Sequence, residues 1–342
     1  MAGIGYQVTI GSFQASSRAG QGNGAVRSIM SELTMDGAGG RCHLELVASD
    51  AAPPQPGDAT TISLDAGNGS VTVFTGTVME TRTTPETALI VGTDALASLA
   101  RLDVSAAYED TAAGAIVSEL VQQAGATAGT IEDGPTFNRY ALHRGPRALR
   151  HIQRLAEQCG FDVYTDGEGQ VHFAAPRQGA SDHTFTYRTQ VLKASLQRSP
   201  PAQDGVVVWG EGAASTQGTE KAHWLVADLS SVQGKAAVNA SLRVQAGGEG
   251  RFPREVRDGA VRTGDDAATQ ARMRMAALAS RPLRGFLEVL GAPAVKPGDL
   301  IQLEDIPSTQ PVHALATGKV LRVRAVRHTL SARAGFVTRM EL

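Results

Sequence analysis

Residues 319–342 read KVLRVRAVRHTLSARAGFVTRMEL. Apolar and polar side chains alternate along most of this stretch, which is the two-residue period of a half-buried β-strand. We predict strands over 319–328 and 336–342, separated by a turn. One face of the second strand carries Phe336, Thr338, Met340 and Leu342. Two neighbouring strands of this kind indicate that the C-terminal part of the chain is a β-sheet.

One helix and two more strands precede this stretch. An apolar face with helical spacing predicts a helix over 265–280, which Pro282 ends. That face consists of Ala268, Ala271, Met275 and Leu278. Because its residues include alanines, the helix is expected to approach a sheet closely. Strands are predicted over 285–290 and 300–303, with a turn at Pro297-Gly298 between them.

These elements belong to a third block, 181–342, which we predict to be mainly β. It opens with expected strands at 185–196 and 206–209. Residues 211–263 are rich in Gly, Ala, Ser and Thr and show no clear period. We expect a long, partly extended excursion there, with one candidate strand at Trp224-Leu225-Val226.

The middle block, 96–180, is predicted to be α+β. One helix is expected from the N-cap Asp110 to Gly125, and a second from Gly145-Pro146 to Gly160. Their apolar faces are Ala113, Ile116, Val117, Leu120, Val121 and Ala124, and Ala148, Ile152, Leu155, Ala156 and Cys159. A hairpin follows, with strands 161–165 and 170–173.

The first block, 1–95, is predicted to be β. Apolar residues alternate over 6–10, 29–35 and 44–46. Two further strands, 60–64 and 71–79, flank a hairpin connection in which Asn68-Gly69 supplies positive φ. Several short strands with turns at this spacing are typical of a small barrel or sandwich.

The composition excludes some classes of protein. A chain of 342 residues has room for two or three domains, and 42% hydrophobic residues suffice for ordinary cores. The net charge of -2 lacks the cationic excess of a chain whose main role is nucleic-acid binding, and it also argues against a disordered polyelectrolyte. Most basic residues are arginine, which either a GC-rich genome or subunit interfaces would explain.

The two cysteines and the N-terminus bear on the compartment. Cys42 and Cys159 are too few for a disulfide scaffold or a structural zinc site, so we expect both to be reduced and buried in different domains. The first residues lack the pattern of a signal peptide, and no apolar run approaches the roughly 18–20 residues that cross a bilayer. We therefore expect a protein made in the cytoplasm without a signal peptide, and without a membrane segment.

A search for chemistry among the histidines and cysteines predicts no catalytic, cofactor-binding or metal-binding residue. His143 and His151 are eight residues apart, but His143 precedes the helix that carries His151, so a metal pair is disfavoured. His328 is expected to make a structural hydrogen bond. Cys159 lies about 12 Å along the helix from His151, too far for a thiolate–imidazole pair, and is expected in the core.

Other motifs have structural explanations. Gly20-Gln21-Gly22-Asn23-Gly24 lacks the Lys-Ser/Thr of a phosphate loop and is expected to be a flexible or interface loop. Asp166-Gly167-Glu168-Gly169 is expected to be a hairpin tip rather than a calcium loop. The carboxylate pairs Glu109-Asp110 and Asp265-Asp266 are placed at helix N-termini, where they complement the helix dipole. Arg322 and Arg324 share a strand face, which we interpret as solvated, with a subunit interface as the alternative.

Four C-terminal segments together resemble the end of the phage late control protein D family, the baseplate (tail) hub proteins of contractile phages and phage-derived particles. They are 285–291 (GFLEVLG), 295–301 (VKPGDLI), 323–330 (VRAVRHTL) and 335–342 (GFVTRMEL). Residues 147–173 are similar to the family's helix–Gly–hairpin segment, and 74–78 (FTGTV) to one of its strands. The resemblance rests on the order and spacing of these segments, and 211–263 match no feature of the family.

The resemblance implies a mainly β fold with an α+β middle part. Two tube-like β-barrel domains, 1–95 and 181–342, would flank a smaller domain at 96–180. Such hubs are trimeric rings whose six barrels dock on a hexameric tail tube and carry a trimeric spike. Because the chain stops at Leu342, we expect the spike to be a separate polypeptide.

The expected protein is thus a non-enzymatic hub of a virion tail or phage-tail-like particle. Its implied partners are two further copies of itself, the tail tube or tube initiator, the spike and other baseplate proteins, without specific nucleic-acid binding. Phage, tailocin and extracellular injection system all remain open. Two alternatives also remain: a tail-associated peptidoglycan hydrolase using Glu220 and His223, and a β-sheet binding module from a non-phage complex.

Overall fold

The computed structural model describes residues 3–17, 22, 24–37, 39–47, 52–210, 232–280 and 283–342. The strands there are β1 (Gly5–Ile10), β2 (Phe13–Ser16), β3 (Val26–Thr34), β4 (Arg41–Val47), β5 (Ala59–Asp65), β6 (Ser70–Thr83), β7 (Thr87–Thr93), β8 (Ala106–Ala112), β9 (Thr127–Ile131), β10 (Thr136–Leu142), β11 (Asp162–Thr165), β12 (Gln170–Ala174), β13 (His183–Thr186), β14 (Val191–Arg198), β15 (Gly205–Gly210), β16 (Gln233–Val238), β17 (Val244–Ala246), β18 (Pro253–Asp258), β19 (Leu283–Leu290), β20 (Leu300–Glu304), β21 (Val320–Arg322), β22 (Ala325–Ser331) and β23 (Gly335–Glu341). The helices are α1 (Leu96–Leu99), α2 (Ala113–Gln123), α3 (Ala148–Cys159), α4 (Tyr187–Gln190), α5 (Gly264–Ala279) and α6 (Pro311–Ala316). The predicted fold class, mainly β with an α+β middle part, is confirmed.

One long sheet joins the two ends of the chain. Its order is β14-β19-β23-β22-β3-β4-β7-β6-β5-β1-β2. The N-terminal and C-terminal strands meet at the antiparallel pair β3–β22, where Leu33 lies opposite Val326 and Ile29 opposite Leu330. We call this pair the seam. The buried faces of both strands point to the same side, so the two β parts share one hydrophobic core.

Alternating side chains explain why the strands form where they do. In β3, Ile29, Ser31 and Leu33 are buried while Met30 and Glu32 between them are partly exposed. Strand β23 repeats the pattern with Phe336, Thr338 and Met340 buried. A residue pattern with period two buries one face of a pleated strand and leaves the other for solvent or for a partner. The predicted strands of the first block and those at 285–290, 300–303 and 336–342 are confirmed.

Two predicted strands are interrupted. The expected strand 319–328 divides into β21 and β22, because Val323 N donates to Asp299 O whereas Arg324 N donates to Glu341 O. The chain thereby leaves the small sheet β13-β20-β21 and enters the long sheet. The expected strand 185–196 is likewise broken, by the short helix α4 between β13 and β14.

The two helices of the middle block bury the predicted faces but begin later than predicted. Asp110 is not an N-cap: it lies in β8 with φ 48°, and α2 begins at Ala113. The first amides of α2 instead donate to backbone, Ala113 N to Pro135 O and Gly114 N to Asp133 O, so no capping side chain is needed. The α3 helix begins at Ala148 rather than Pro146, after Arg147 has bridged to Asp103 in extended conformation.

Three hydrophobic clusters form the interior of the part of the chain that the structure describes. The first lies between the long sheet and β13-β20-β21, and the second beneath α2 and α3. In the third, α5 packs on the four-stranded sheet β17-β16-β15-β18, burying Ala271 and Met275. A side chain on Gly234 would collide with the α5 backbone, which confirms the expected close approach of this helix to a sheet.

Part of the predicted excursion is regular structure. Three strands, β16, β17 and β18, lie within 232–258, although the composition of this region shows no strand period. They form their ladders with β15 and with each other, so their pairing rather than their own pattern defines them. The candidate strand Trp224-Leu225-Val226, and with it Glu220 and His223, lies outside the described residues.

Two glycines of the Gly-rich segment before β3 pack against the edge strand β2. Gly24 N donates to Gln14 O at 3.2 Å, and a side chain on Gly24 would collide with the ring of Phe13. Gly22 is equally close to the backbone of β2. At these two positions, therefore, glycine allows two backbones to approach each other. The expectation of a flexible or interface loop stays a prediction, and Gly20, Gln21 and Asn23 lie outside the described residues.

Candidate functional site

The two neighbouring histidines of the middle part contact each other. Their rings are 5.5 Å apart, and His151 Nε2 lies 3.2 Å from the backbone oxygen of His143. Burial lowers the pKa of His151. Within the described ranges, no group of three or more His, Cys, Asp and Glu side chains is arranged to hold a metal ion.

His328 and the two cysteines are interior groups. His328 Nδ1 lies 3.0 Å from Thr338 Oγ1 in the core, and burial lowers its pKa to about 4. The predicted structural hydrogen bond is confirmed. Burial raises the pKa of Cys42 and of Cys159 to about 12, so neither is a thiolate nucleophile at neutral pH. Both are free and lie in different clusters, as predicted.

The Asp166 loop is the predicted hairpin tip. Asp166 Oδ1 accepts from Gln170 N at 3.0 Å, and Oδ2 lies 3.0 Å from His172 Nε2. The tip also contacts the long sheet, since Thr75 Oγ1 donates to Gly167 O at 2.9 Å. Asp166 thus stabilises a turn that attaches the middle part to β6.

The two carboxylate pairs have different outcomes. Asp265 and Asp266 lie in the first turn of α5 as predicted, where Thr263 Oγ1 accepts from Asp266 N at 3.1 Å. Glu109 is not at a helix N-terminus, because it lies in β8 and pairs at 3.4 Å with Arg139 on β10. The error has the same cause as that at Asp110, since the helix begins after this strand.

Arg322 and Arg324 do not face solvent, which corrects the sequence interpretation. Arg322 Nη1 lies 2.7 Å from Asp162 Oδ2, and Arg324 contacts both Asp162 (3.3 Å) and Asp36 (3.0 Å). We call these four residues the arginine cluster. Asp162 begins β11 of the middle part, which covers the face that the strand alone would leave open. The cluster therefore joins the middle part to the ends of β3 and β21 within one chain.

A second cluster, buried at Asp258 and Arg274, joins α3 to α5. Asp258, at the end of β18, accepts from Gln158 Nε2 and lies 3.6 Å from Arg274 Nη2. Arg154 contacts the same carboxylate at 3.2 Å, and Glu157 lies 3.3 Å from Arg274 Nη1. Burial lowers the pKa of the Arg274 guanidinium. We call these five residues the helix cluster.

The outer face of the long sheet carries a row of charges that crosses the seam. Residues directly opposite each other on six adjacent strands are Lys193, Glu288, Arg339, Arg327, Glu32 and Arg41. We call them the charged row. Three ion pairs link its members: Arg339–Glu288 at 2.9 Å, Arg327–Glu32 at 2.9 Å and Arg41–Glu32 at 3.2 Å. The row thus spans the N-terminal and the C-terminal β parts.

Electrostatics within the charged row favour the ionised form of Glu32. Burial raises the pKa of Glu32, but hydrogen bonds and charges from Arg327 and Arg41 outweigh it, so the net pKa is lowered. Arg327 and Arg339 lie directly opposite each other, and like charges in that position repel. Each takes its own carboxylate partner, and Arg339 also lies 3.7 Å from the centre of the Phe286 ring.

A row of less polar residues lies beside the charged row. Two positions along from the charged residues of β19, β23, β22, β3 and β4 are Leu290, Val337, Thr329, Met30 and His43, and Val91 on β7 continues this row. Leu290 is 50% exposed and the others are partly exposed. Arginine and methionine next to a polar rim are residue types enriched at protein interfaces. The chemistry of this face suits contact with another macromolecule rather than a reaction.

The fold that carries these surfaces is that of phage tail proteins. The 43 kDa tail protein of prophage MuSo2 from Shewanella oneidensis is similar with a TM-score of 0.68 at 15% identity, over 98% of this chain and 97% of that one. The tail protein from Neisseria meningitidis MC58 is similar with a TM-score of 0.70 at 12% identity, over 99% and 96%. The resemblance predicted from the sequence is thereby confirmed at the level of the fold.

A third neighbour comes from a secretion system. The Escherichia coli c3393 protein is a component of the type VI secretion system with structural similarity to the bacteriophage T4 tail proteins gp27 and gp5. Its TM-score is 0.57 at 14% identity, over 98% of this chain and 75% of that one. A scan against protein-family models and a search of curated protein sequences find no match. Across the described residues, no helix is both long and apolar enough to cross a membrane.

Sequence reasoning missed the charged row and the helix cluster. Alternation along β22 and β23 does place Arg327 and Arg339 outward, and that signal was available. What was missing is the register, because the partners Glu32 and Arg41 lie near the other end of the chain. Pairing between such distant strands leaves no local trace in the sequence.

Proposed function

We propose that this chain is a structural hub protein of a phage tail or phage-tail-like particle, assembled as a trimeric ring. The observation that carries the proposal is the likeness to two tail proteins over nearly their whole length. The hub role and the threefold symmetry come from the sequence resemblance. Within this proposal, residues 1–95 and 181–342 form the two tube-like units and 96–180 the smaller unit between them.

The seam supports this role physically. A continuous β3–β22 ladder, with both core faces on one side, keeps the two β parts of one chain in a constant relative position. Three chains then present six β parts around a central channel. In such a ring, the six β parts would each contact one subunit of a sixfold tail tube. Each of the three chains would contact one subunit of a threefold spike.

The proposed contacts follow from the surfaces. The charged row and its less polar neighbour are partly exposed, contiguous over six strands and suited to a protein contact. We assign this face to contacts within the particle, with another copy, the tube, the spike or other baseplate proteins. We assign no catalytic step to the chain, and a zymogram on peptidoglycan that shows lysis would contradict this part of the proposal.

Oligomeric state and shape test the proposal directly. We expect light scattering coupled to size exclusion to give three times the 35.7 kDa mass, alone or after addition of the spike protein. Class averages from electron microscopy should show a threefold ring with an open centre. An obligate interface is expected to bury well above about 1,200 Å² in total.

The control is a charge reversal that leaves the core intact. Arg41 is 56% exposed and makes one ion pair, so Arg41→Glu should preserve folding while weakening any contact that uses the charged row. Arg82→Glu, on an exposed pair of β6, is the matched variant away from the row. A stable dimer, or a chain that stays monomeric in the presence of the spike protein, would contradict the proposed trimeric ring.

A further inference from the structure

A cleft of about 540 Å³ lies beside strand β21, away from the charged row. Its walls come from the ends of β14, β19 and β23 and from the loop at 176–179. That volume is within the range of about 300–1,000 Å³ that is usual for ligand sites. The proposed ring does not require this cleft, so its occupant is a separate question.

The cleft runs along a strand edge. All of the residues 319 to 322 line it, and successive side chains of a strand point to opposite faces. A cavity that touches both kinds of side chain must therefore lie at the edge of the strand rather than over one face. In the described part of the chain, β21 pairs with β20 alone, so its other edge is open. An open edge offers main-chain donors and acceptors to an added strand.

The charged side chains that line the cleft are basic in the part of the chain that the structure describes. These five residues are Arg177, Arg198, Lys319, Arg322 and Arg324. Three of these form ion pairs with carboxylates that do not line the cleft. Arg177 pairs with Asp182, and Arg322 and Arg324 belong to the arginine cluster. The remaining two, Arg198 and Lys319, are exposed and have no carboxylate partner among the residues that the structure describes.

The floor of the cleft is apolar. Leu300 and Leu321 are buried beneath it, and Val320 is 42% exposed beside Lys319. An extended peptide has alternating side chains, which suit an apolar floor on one side and a basic wall on the other. A nucleic-acid backbone has phosphates for the basic wall but uses neither the apolar floor nor the open strand edge.

We propose that this cleft binds an extended acidic segment of a partner protein, which adds as a strand to the open edge of β21. Arg198 and Lys319 contact the carboxylates of that segment. Apolar side chains on its opposite face cover Val320, whose side chain points to the other face of β21 from that of Lys319. Main-chain hydrogen bonds to β21 supply affinity, while the two free basic residues select for negative charge.

The test uses the full chain and a fluorescein-labelled peptide about ten residues long that alternates Glu with Val. Fluorescence anisotropy should show saturable binding, which added salt weakens. The double variant Arg198→Glu/Lys319→Glu should weaken binding by about tenfold or more, because it replaces both attractions with repulsion. Arg188→Glu/Arg333→Glu makes the same change in net charge at exposed positions outside the cleft and should bind as the wild type does.

Two further probes separate the components of the site. Replacing every Glu of the peptide by Gln should remove most of the affinity, and N-methylation of alternate peptide amides should do the same by blocking strand addition. Equal weakening by the two double variants would overturn the cleft as the site. Tighter binding of single-stranded oligothymidylate of similar length would contradict an acidic peptide as the ligand and would indicate nucleic acid instead. No binding of the Glu peptide to the wild type would overturn the proposal outright.

Discussion

The charged row and the helix cluster use the same chemistry, arginine paired with carboxylate, in opposite surroundings. In the row, the Arg41 side chain is 56% exposed and Arg327 is 40% exposed. In the cluster, the side chains of Arg274 and Asp258 are 6% and 1% exposed. Exposed pairs typically contribute about 0–1 kcal/mol, whereas removing one partner of a buried pair costs about 3–5 kcal/mol.

This difference in exposure distinguishes ion pairs that are available for contact with another chain from ion pairs that stabilise the fold of this one. Residues of the charged row lose little when their ion pairs open, so they can exchange partners with another chain while the sheet stays folded. The helix cluster has no such freedom, since an unpaired Arg274 would be a charge without solvent. Ion pairs that can open at little cost thus lie on the outer face of the long sheet. Ion pairs whose loss would destabilise the fold lie between α3 and α5.

The largest expected effect comes from Asp258→Ala. It leaves Arg274 buried without its carboxylate on β18, while Glu157 still contacts its outer side. We expect a loss of about 3–5 kcal/mol in the free energy of unfolding, measured by urea denaturation at pH 7. Asp266→Ala, on the exposed first turn of α5, is the control and should cost less than about 1 kcal/mol. Similar costs for the two variants would abolish the contrast between buried and exposed charge.

An intermediate effect should appear on acidification, through His328 on the inner face of β22. Its folded pKa, about 4, lies below the ordinary value of 6.5 because of burial. Between these pH values the unfolded chain binds a proton that the folded chain does not. Stability from this group is therefore present above about pH 6.5 and lost as pH falls to about 4, by about 3 kcal/mol.

Comparison with His328→Gln isolates this contribution. Urea denaturation at pH 7 and pH 4 should show that the stability difference between wild type and variant shrinks by about 3 kcal/mol at the lower pH. His43→Gln removes a histidine from the outer face of a strand beside the seam and is the matched control. If His328→Gln loses as much stability on acidification as the wild type, His328 is not the group responsible.

The smallest expected effect is that of Glu32→Gln in the charged row. The variant weakens two ion pairs, Arg327–Glu32 across the seam and Arg41–Glu32 between β3 and β4, but keeps the shape of the side chain. Since both arginines reach solvent, we expect a loss of about 1 kcal/mol or less by the same denaturation measurement. A loss as large as that of Asp258→Ala would mean that the row holds the fold together, and the comparison would fail.

Local patterns predicted most elements but few of their contacts. The apolar faces of α2 and α3, the strands at 29–35 and 336–342 and the close approach of α5 follow from periodicity and residue size. The start of α2 was misplaced because Asp110 is a good capping residue by type, yet backbone oxygens of Pro135 and Asp133 accept the helix amides. Strands β16 to β18 were missed because their own composition carries little strand signal.

The sequence by itself determined which side of each strand and helix is apolar, and hence a mainly β fold with an α+β middle part. It also determined that Arg322 and Arg324 share a face. Only the tertiary structure decided that β11 covers this face and turns two expected surface arginines into an internal cluster. The physical reason is range: a period of two or 3.6 residues is local, whereas the pairing of β3 with β22 joins the two ends of the chain.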